Sequence, residues 1–494
     1  MLNRGRFALL FLVLPSLALA QSMTSETEKH VHAVETGLLP AVEIKGEPAP
    51  TMTLRERMEF YKVPGVSIAV EHDGRIEWAR GYGKVAIGAA DVTADTLFQA
   101  GSISKPVAAV GTLKLVEQGR LSLDENVNDE LKSWKVPDNE FTKSKAVTLR
   151  EILTHSGGTT VHGFPGYASG VPVPTLVQVL NGEKPANTAA IVVEKQPGTV
   201  WNYSGGGYTI MQQLVIDVTS KPYPQFLRET VLQPIGMTSS TYEQPLPEAL
   251  RSKAASPYGR GNAISGGAHT YPEMAAAGLW TTAPDLCRFV MAIQHGLHGD
   301  PGFVLSQNMT RQMVSKQFAV SPDDDWGLGF EVMSADGHLA FSHGGSNAGF
   351  EALFFGTEDG LDGFAIMTNA IGGGALEQEI ARAVAHVYGW PFFHPAEKSR
   401  ITLNPADLRD VPGRYQLNPQ FSMLIEAREG KLYLRGPIDL ELFAQADGRL
   451  FTLDRDFDIT VVRENGKVAG LTFSRPIPLP IGTPSSAQIA KKIE

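Results

Sequence analysis

The chain has 494 residues, 43% of them hydrophobic and 19% charged, which is enough apolar material for more than one packed core and excludes a disordered chain. A net charge of −10, with no long basic run, excludes a protein built to hold nucleic acid or an anionic membrane. One cysteine, Cys287, excludes an internal disulfide; it sits in a helical pattern, "TTAPDLCRFVMAIQ", and reads as a small core residue.

The first segment, "MLNRGRFALLFLVLPSLALAQS", has Arg4 and Arg6 ahead of a short apolar run, Phe7 to Leu14, and a small-x-small end at Ala18-Leu19-Ala20. That is the pattern of a secretory signal over residues 1–20, cut after Ala20, and it predicts a periplasmic or secreted protein. The run falls short of the roughly 20 residues a membrane span needs, so no stable membrane insertion is expected once it is removed. Residues 21–50 are polar and mixed and read as a loose lead-in.

From residue 51 the pattern changes. In "VPGVSIAVEHDGRIEWARGYG" two β-type runs flank Asp73-Gly74, a hairpin signal. "QAGSISKPVAAV" follows, with a serine and a lysine three apart and a proline directly after. Proline is tolerated only in the first turn of a helix, so Pro106 places a helix start within a residue or so of Ser102. The helix then runs through Ala109, Leu113 and Val116 to Gly119. Ser102 therefore lies at the positive end of a helix dipole and shares a face with Lys105. On a buried face the amine would lose its proton more readily and accept one from the serine; on an exposed face the pair is an N-cap and a solvated lysine.

Further on, "PGTVWNYSGGGYTIMQQLV" sets Tyr203 on a glycine-bounded turn before a helix, where a phenol can reach a cavity and pass protons, or plug the core. "WGLGFEVM", "HLAFSHGG" and "FEALFFGTEDGLDGFAIMTNA" read as strands. His343, Gly344 and Gly345 fall at a strand end, where glycines allow a ligand close to the backbone and leave the Ser346 N–H free to face an oxyanion. In the closing helix, "ALEQEIARAVAHVYG", Leu376, Ile380, Val384 and Val387 share a face and Gly389 with Pro391 ends it. Strands at both ends with helices between predict an α+β plan: one antiparallel sheet with a helical insertion. Past about residue 395 short alternating strands with turns at Gly430, Gly448 and Gly466 predict a separate all-β module. The domain reading is 1–20 signal, 21–50 lead-in, 51–395 main domain and 396–494 β domain.

The three motifs in this order, Ser102-Ile103-Ser104-Lys105, Tyr203-Ser204-Gly205 and His343-Gly344-Gly345, resemble those of the serine β-lactamase and penicillin-binding protein superfamily, and most of all its class C β-lactamase-like branch of esterases and D-amino-acid peptidases. "LREILTHSGG", "VLQPIGMTSSTY" and "AAGLWTTAPDLCRFVMAI" add to the likeness, which covers roughly residues 54–390; the β-rich tail resembles the barrel-like module appended to many of these hydrolases. The resemblance implies an antiparallel sheet flanked by helices beside an all-helical subdomain, with the site between them. It implies Ser102 as the nucleophile of an acyl-enzyme, Lys105 and Tyr203 sharing the proton work, and His343 in the third motif. The oxyanion would rest between the N–H groups of Ser102 and Ser346, with Gly344, Gly345 and Gly205 lining the substrate site. It implies no metal and no organic cofactor, and a small-molecule or peptide substrate, cell-wall fragments included.

Two positions depart from the family. Gly205 stands where asparagine is frequent, and that amide recognises the acylamido group of β-lactams and peptides. His343 replaces a lysine and, near neutral at pH 7, holds a substrate carboxylate less firmly. Both turn the expectation toward esters or D-amino-acid peptides, with a β-lactamase proper and a sensor that acylates without turnover as the alternatives. His155, in "LTHSGG", matches a structural loop position of the family. His295 and His298 lack the partners of a zinc site. No G-x-S-x-G elbow and no phosphate-binding loop is present, which removes the α/β-hydrolase and P-loop readings.

Overall fold

The computed structural model describes residues 25–300, 303–321, 324–418, 421–436, 438–474 and 489–493; the signal-peptide reading lies outside them. The lead-in differs from the loose segment expected. It forms helix α1 (Ser25–Thr36), and a short strand, Val42–Ile44, follows. Val31 and Val34, the only two apolar positions spaced to face inward, are each 1% exposed. Helix α2 (Leu54–Tyr61) begins in a capping box, with Thr53 and Glu56 each satisfying the other's backbone N–H.

Strands β1 (Gly65–His72) and β2 (Arg75–Gly83) form the hairpin, with Asp73 and Gly74 both at positive φ (53° and 71°), which an Asp-Gly pair supplies at low cost. Chain order then moves through helices α3 (Ser104–Glu117), α4 (Gly205–Thr219) and α5 (Ala283–His298) before the sheet resumes. The late strands are β3 (Phe318–Ala319), β4 (Asp325–Trp326), β5 (Glu331–Ala335), β6 (His338–Asn347), β7 (Phe350–Thr357) and β8 (Gly363–Thr368), followed by α6 (Gly373–Tyr388). They join the first hairpin in one eight-stranded antiparallel sheet, in the order β2-β1-β8-β7-β6-β5-β4-β3. The run "WGLGFEVM" is not one strand: Gly327 N–H bonds to Phe330 O, and Gly329 sits at φ 101° against Ala109 of α3, so the chain turns there between β4 and β5.

Both sheet faces are covered, which explains the unbroken apolar run of β1. Val66, Ile68 and Val70 point into a core shared with α1, α2 and α6, while Ala69 belongs to the core on the opposite face, where the Cys287 thiol of α5 donates to its carbonyl. Each such fully buried Val, Ile or Leu contributes about 1.5–3 kcal/mol. In α6, Leu376, Ile380 and Val384 are fully buried as their spacing requires, and Gly389 caps the helix at φ 69°.

Beyond the sheet, Ala396–Lys398 pairs in parallel with Val42–Ile44. Eight short antiparallel strands between Gly413 and Lys492 then close into a barrel around Tyr415, Ile425, Leu432, Ile459 and Leu471. Among the described residues no helix is long and apolar enough to cross a membrane.

Candidate active site

The site grows from the turn ahead of α3. Gly101–Ile103 form a single 3-10 turn and α3 opens at Ser104, so Pro106 is the third helical residue, where its missing N–H costs nothing. The turn is locked from inside. Ser104 Oγ donates to Gly101 O (2.6 Å) and accepts from Leu279 N (2.9 Å), and Tyr242 OH donates to Ser104 O (2.6 Å). Ser102 stays partly exposed while Lys105, one helical turn on, is 2% exposed.

Lys105 Nζ lies 2.8 Å from Ser102 Oγ and 2.9 Å from the carbonyl of Ala276, in the short helix Met274–Ala277. It also stands 4.9 Å over the Tyr203 ring. Burial pulls the amine down to about 7. With one N–H on Ala276 and its lone pair toward Ser102, a neutral amine satisfies both contacts.

Tyr203 precedes the N-cap of α4. Ser204 Oγ accepts from Gly207 N (3.0 Å) and donates to Thr160 O (2.8 Å), which fixes where the helix begins and where the phenol points. Burial raises the Tyr203 phenol well above its usual range, and a hydrogen bond with the Ser102 hydroxyl offsets part of this, so the group stays protonated. Gly205 does not line the substrate site. It is buried, its N–H bonds to His162 O (3.0 Å), and a side chain there would meet Phe164 at 3.0 Å. The first two glycines of the triple seat α4 against the 160–164 loop.

His343 is 3% exposed on β6. Its Nδ1 lies 2.6 Å from Gly344 O, which can only accept, so Nδ1 carries the proton and Nε2 presents a lone pair. Burial and the neighbouring Lys105 lower it to about 3, so the ring is uncharged. His155 and His162 are lowered too, by burial first and Lys105 second. Trp201 and Trp326 close the cluster, with ring centroids 6.1 Å each from Tyr203.

Gly345 makes a close approach to the turn that carries Ser102. A Cβ there would lie 1.9 Å from Ala100 O, and one on Gly101 (φ 52°) would lie 2.5 Å from Ser346 N. Two glycines thus let β6 run against the Ser102 turn and bring the Ser346 N–H beside it. Asn347 pins the arrangement, donating to Gln99 Oε1 (2.9 Å) and Ala277 O (3.0 Å). Because β5 pairs with β6 only as far as Ser342, the edge from Gly344 to Ser346 is open, with Gly344 and Ser346 exposed. Such an edge can take a substrate backbone as an added strand.

The sequence motifs thus converge: Ser102, Lys105, Tyr203, His343 and the 344–346 edge meet in one place. Ala276 and Gln99 were not legible, since a backbone carbonyl and an isolated glutamine carry no motif. His155 was legible as a motif position only; its contacts with Tyr203 were not. His295 and His298 take structural partners, Asp300 Oδ2 (2.7 Å) and Gln294 O (2.8 Å).

Comparisons with known proteins bear on the family and the fold. The chain is 29% identical over 384 residues to penicillin-binding protein 4 of Amycolatopsis lactamdurans, an alignment covering 72% of this chain and 94% of that protein. Its fold is similar to that of the octameric penicillin-binding protein homologue of Pyrococcus abyssi (TM-score 0.61, 22% identity, 85% of this chain and 94% of that one). It is also similar to the D-alanine carboxypeptidase AmpC of Burkholderia cenocepacia (TM-score 0.52, 21% identity, 67% and 95%). The family model described as Beta-lactamase matches residues 52–389, so the chain belongs to the beta-lactamase family and is a serine hydrolase of the β-lactamase and penicillin-binding protein superfamily.

Proposed function

We propose that this hydrolase works through an acyl-enzyme on Ser102, with Lys105 as base and Tyr203 as acid, and cleaves an ester, amide or D-amino-acid peptide bond. The observation that carries the reading is a lysine buried without a counter-charge, 2.8 Å from a serine hydroxyl. Lowered to about 7, Lys105 is free of its proton in much of the population at neutral pH, whereas Tyr203 holds its own.

In this scheme Lys105 takes the Ser102 proton as Oγ bonds to the carbonyl carbon. The Ser102 and Ser346 N–H groups receive the developing oxyanion, a contribution of about 3–4 kcal/mol per donor in related chemistry. As the bond to the leaving group breaks, Tyr203 gives its proton to the departing atom and recovers one from the Lys105 ammonium. Water then enters by the same proton path and frees the acid. An uncharged His343 offers a substrate carboxylate no positive partner, which supports neutral leaving groups over β-lactams and free D-alanyl termini. We further propose export to the periplasm or medium with cleavage after Ala20, a small-molecule or peptide substrate that includes cell-wall fragments, and a division into main and β domains near residue 395.

Mass spectrometry after treatment with a fluorophosphonate tests the site. The expected adduct is on Ser102 and disappears in Ser102→Ala; labelling elsewhere overturns the assignment. Hydrolysis of a p-nitrophenyl ester and a D-alanyl amide well ahead of nitrocefin and a D-alanyl-D-alanine peptide is the outcome that fits the neutral site.

A further inference from the structure

His155 sits where a structural loop residue was expected, yet it accepts from the residues on both sides of Tyr203 and meets the Tyr203 ring. It follows the helical turn Leu149–Leu153 and adopts a left-handed backbone (φ 55°), which turns its ring and carbonyl to one side. The Asn202 N–H donates to the His155 carbonyl (2.7 Å) and the Ser204 N–H donates to its Nδ1 (3.1 Å). One residue therefore grips the backbone on both sides of Tyr203. Its ring also packs against the phenol at a tilt, with centroids 4.1 Å apart and planes at 31°. On its other sides it meets Trp201, Trp326 and Tyr208 at 6.2, 5.1 and 5.2 Å, so it is wedged. A backbone N–H can only donate, so Nδ1 is the bare nitrogen and Nε2 carries the proton. The ring is 2% exposed, and burial with Lys105 nearby keeps it from taking a second proton that would break the Ser204 bond.

We propose that His155 is a positioning residue for Tyr203: by holding the backbone on both sides of the phenol and packing against its ring, it fixes the phenol beside Ser102, where it protonates the leaving group. This rests on the acid role given to Tyr203 above. The consequence is selective. A departing p-nitrophenolate needs no proton, whereas a departing alkoxide does.

The test compares kcat/KM, which reads acylation, on p-nitrophenyl butyrate and ethyl butyrate for the full chain. Asparagine presents Oδ1 where Nδ1 stood and accepts the left-handed backbone, so His155→Asn is expected to stay within about 5-fold on both esters. In glutamine the amide is one bond further out and misses the Ser204 N–H. His155→Gln is therefore expected to lose about 10²-fold on ethyl butyrate and under about 5-fold on the aryl ester, mostly in kcat, as Tyr203→Phe should. An equal loss on both esters in His155→Gln makes the residue merely structural and overturns the proposal. So does no loss on either, or a His155→Asn variant as impaired as His155→Gln. Activity that survives in Ser102→Ala would instead remove the reading beneath it, and the two failures are told apart by that control.

Discussion

Two buried cations make the most instructive contrast in the molecule. Lys105 is enclosed with no carboxylate beside it among the described residues, its amine bonded to a hydroxyl and a carbonyl, and burial brings it down to about 7. Arg57 of α2 is 8% exposed and fully furnished. It bonds Glu379 of α6 through Nε (2.8 Å) and Nη2 (2.6 Å), and reaches Asp454 beyond the sheet (2.6 Å) and Tyr61 (2.9 Å). Burial alone would lower Arg57, but the bonds and charge of Glu379 outweigh it and hold the guanidinium charged. The same desolvation therefore favours a neutral amine in one place and leaves a charged clamp in the other. The difference is the presence of an acid partner, together with a guanidinium that does not deprotonate.

The contrast is broken most severely by exchanging the cation. Lys105→Arg puts a guanidinium that cannot give up its proton where no acid partner stands, so kcat/KM is expected to fall by about 10³-fold and Tm to fall with it. Gly345→Ala pushes β6 off the Ser102 turn, since its methyl has Ala100 O at 1.9 Å. A displacement of about 1 Å in Ser346, the proposed oxyanion donor, is worth roughly 10²-fold, measured as kcat with KM little changed. On the other side, Glu379→Ala strands Arg57 and is expected to cost about 3–5 kcal/mol in denaturant unfolding while leaving the pH-rate profile where it was.

The wild-type profile sharpens the comparison further. With Lys105 as the proposed base, kcat/KM should rise with pH through a midpoint near 7 and then level off. In the unfolded chain the lysine holds its proton to 10.5, so between about 7 and 10.5 the folded state binds fewer protons and this group's contribution to stability grows with pH. The smallest effect concerns a buried acid. Glu71 on β1 is fully enclosed, and burial first, Asp362 second, push it up to about 9. Its folded form keeps a proton that the unfolded chain gives up near 4.5, so stability is lost as pH rises from 4.5 to about 9. Glu71→Gln should raise Tm by a few degrees at the alkaline end of that window and leave it unchanged at the acid end, by calorimetry.

What the sequence made legible follows local rules. Pro106 marked the start of α3, Asp73-Gly74 marked the hairpin, and the apolar spacing of α6 marked its buried face. Each is a statement about a few neighbouring residues. What escaped it depends on partners far along the chain. Helix α1 carries only two inward valines, and its face exists because α6 lies opposite. Gly205 and Gly345 looked like ligand contacts, since a glycine in sequence does not say what approaches it; one meets Phe164 and the other Ala100. His155 reads as one more loop histidine until the residues on both sides of Tyr203 are seen donating to it.

The parallel pairing of Val42–Ile44 with Ala396–Lys398 ties the start of the chain to the segment leading into the barrel, and Val42 N–H reaches Leu453 O (3.0 Å) across the same seam. Cutting the protein at residue 395 would therefore strip a strand from its mate and leave a bare row of amides and carbonyls at the surface. Such a fragment has a ready template for sticking to its own copies, and its solubility would measure the seam more directly than its melting point.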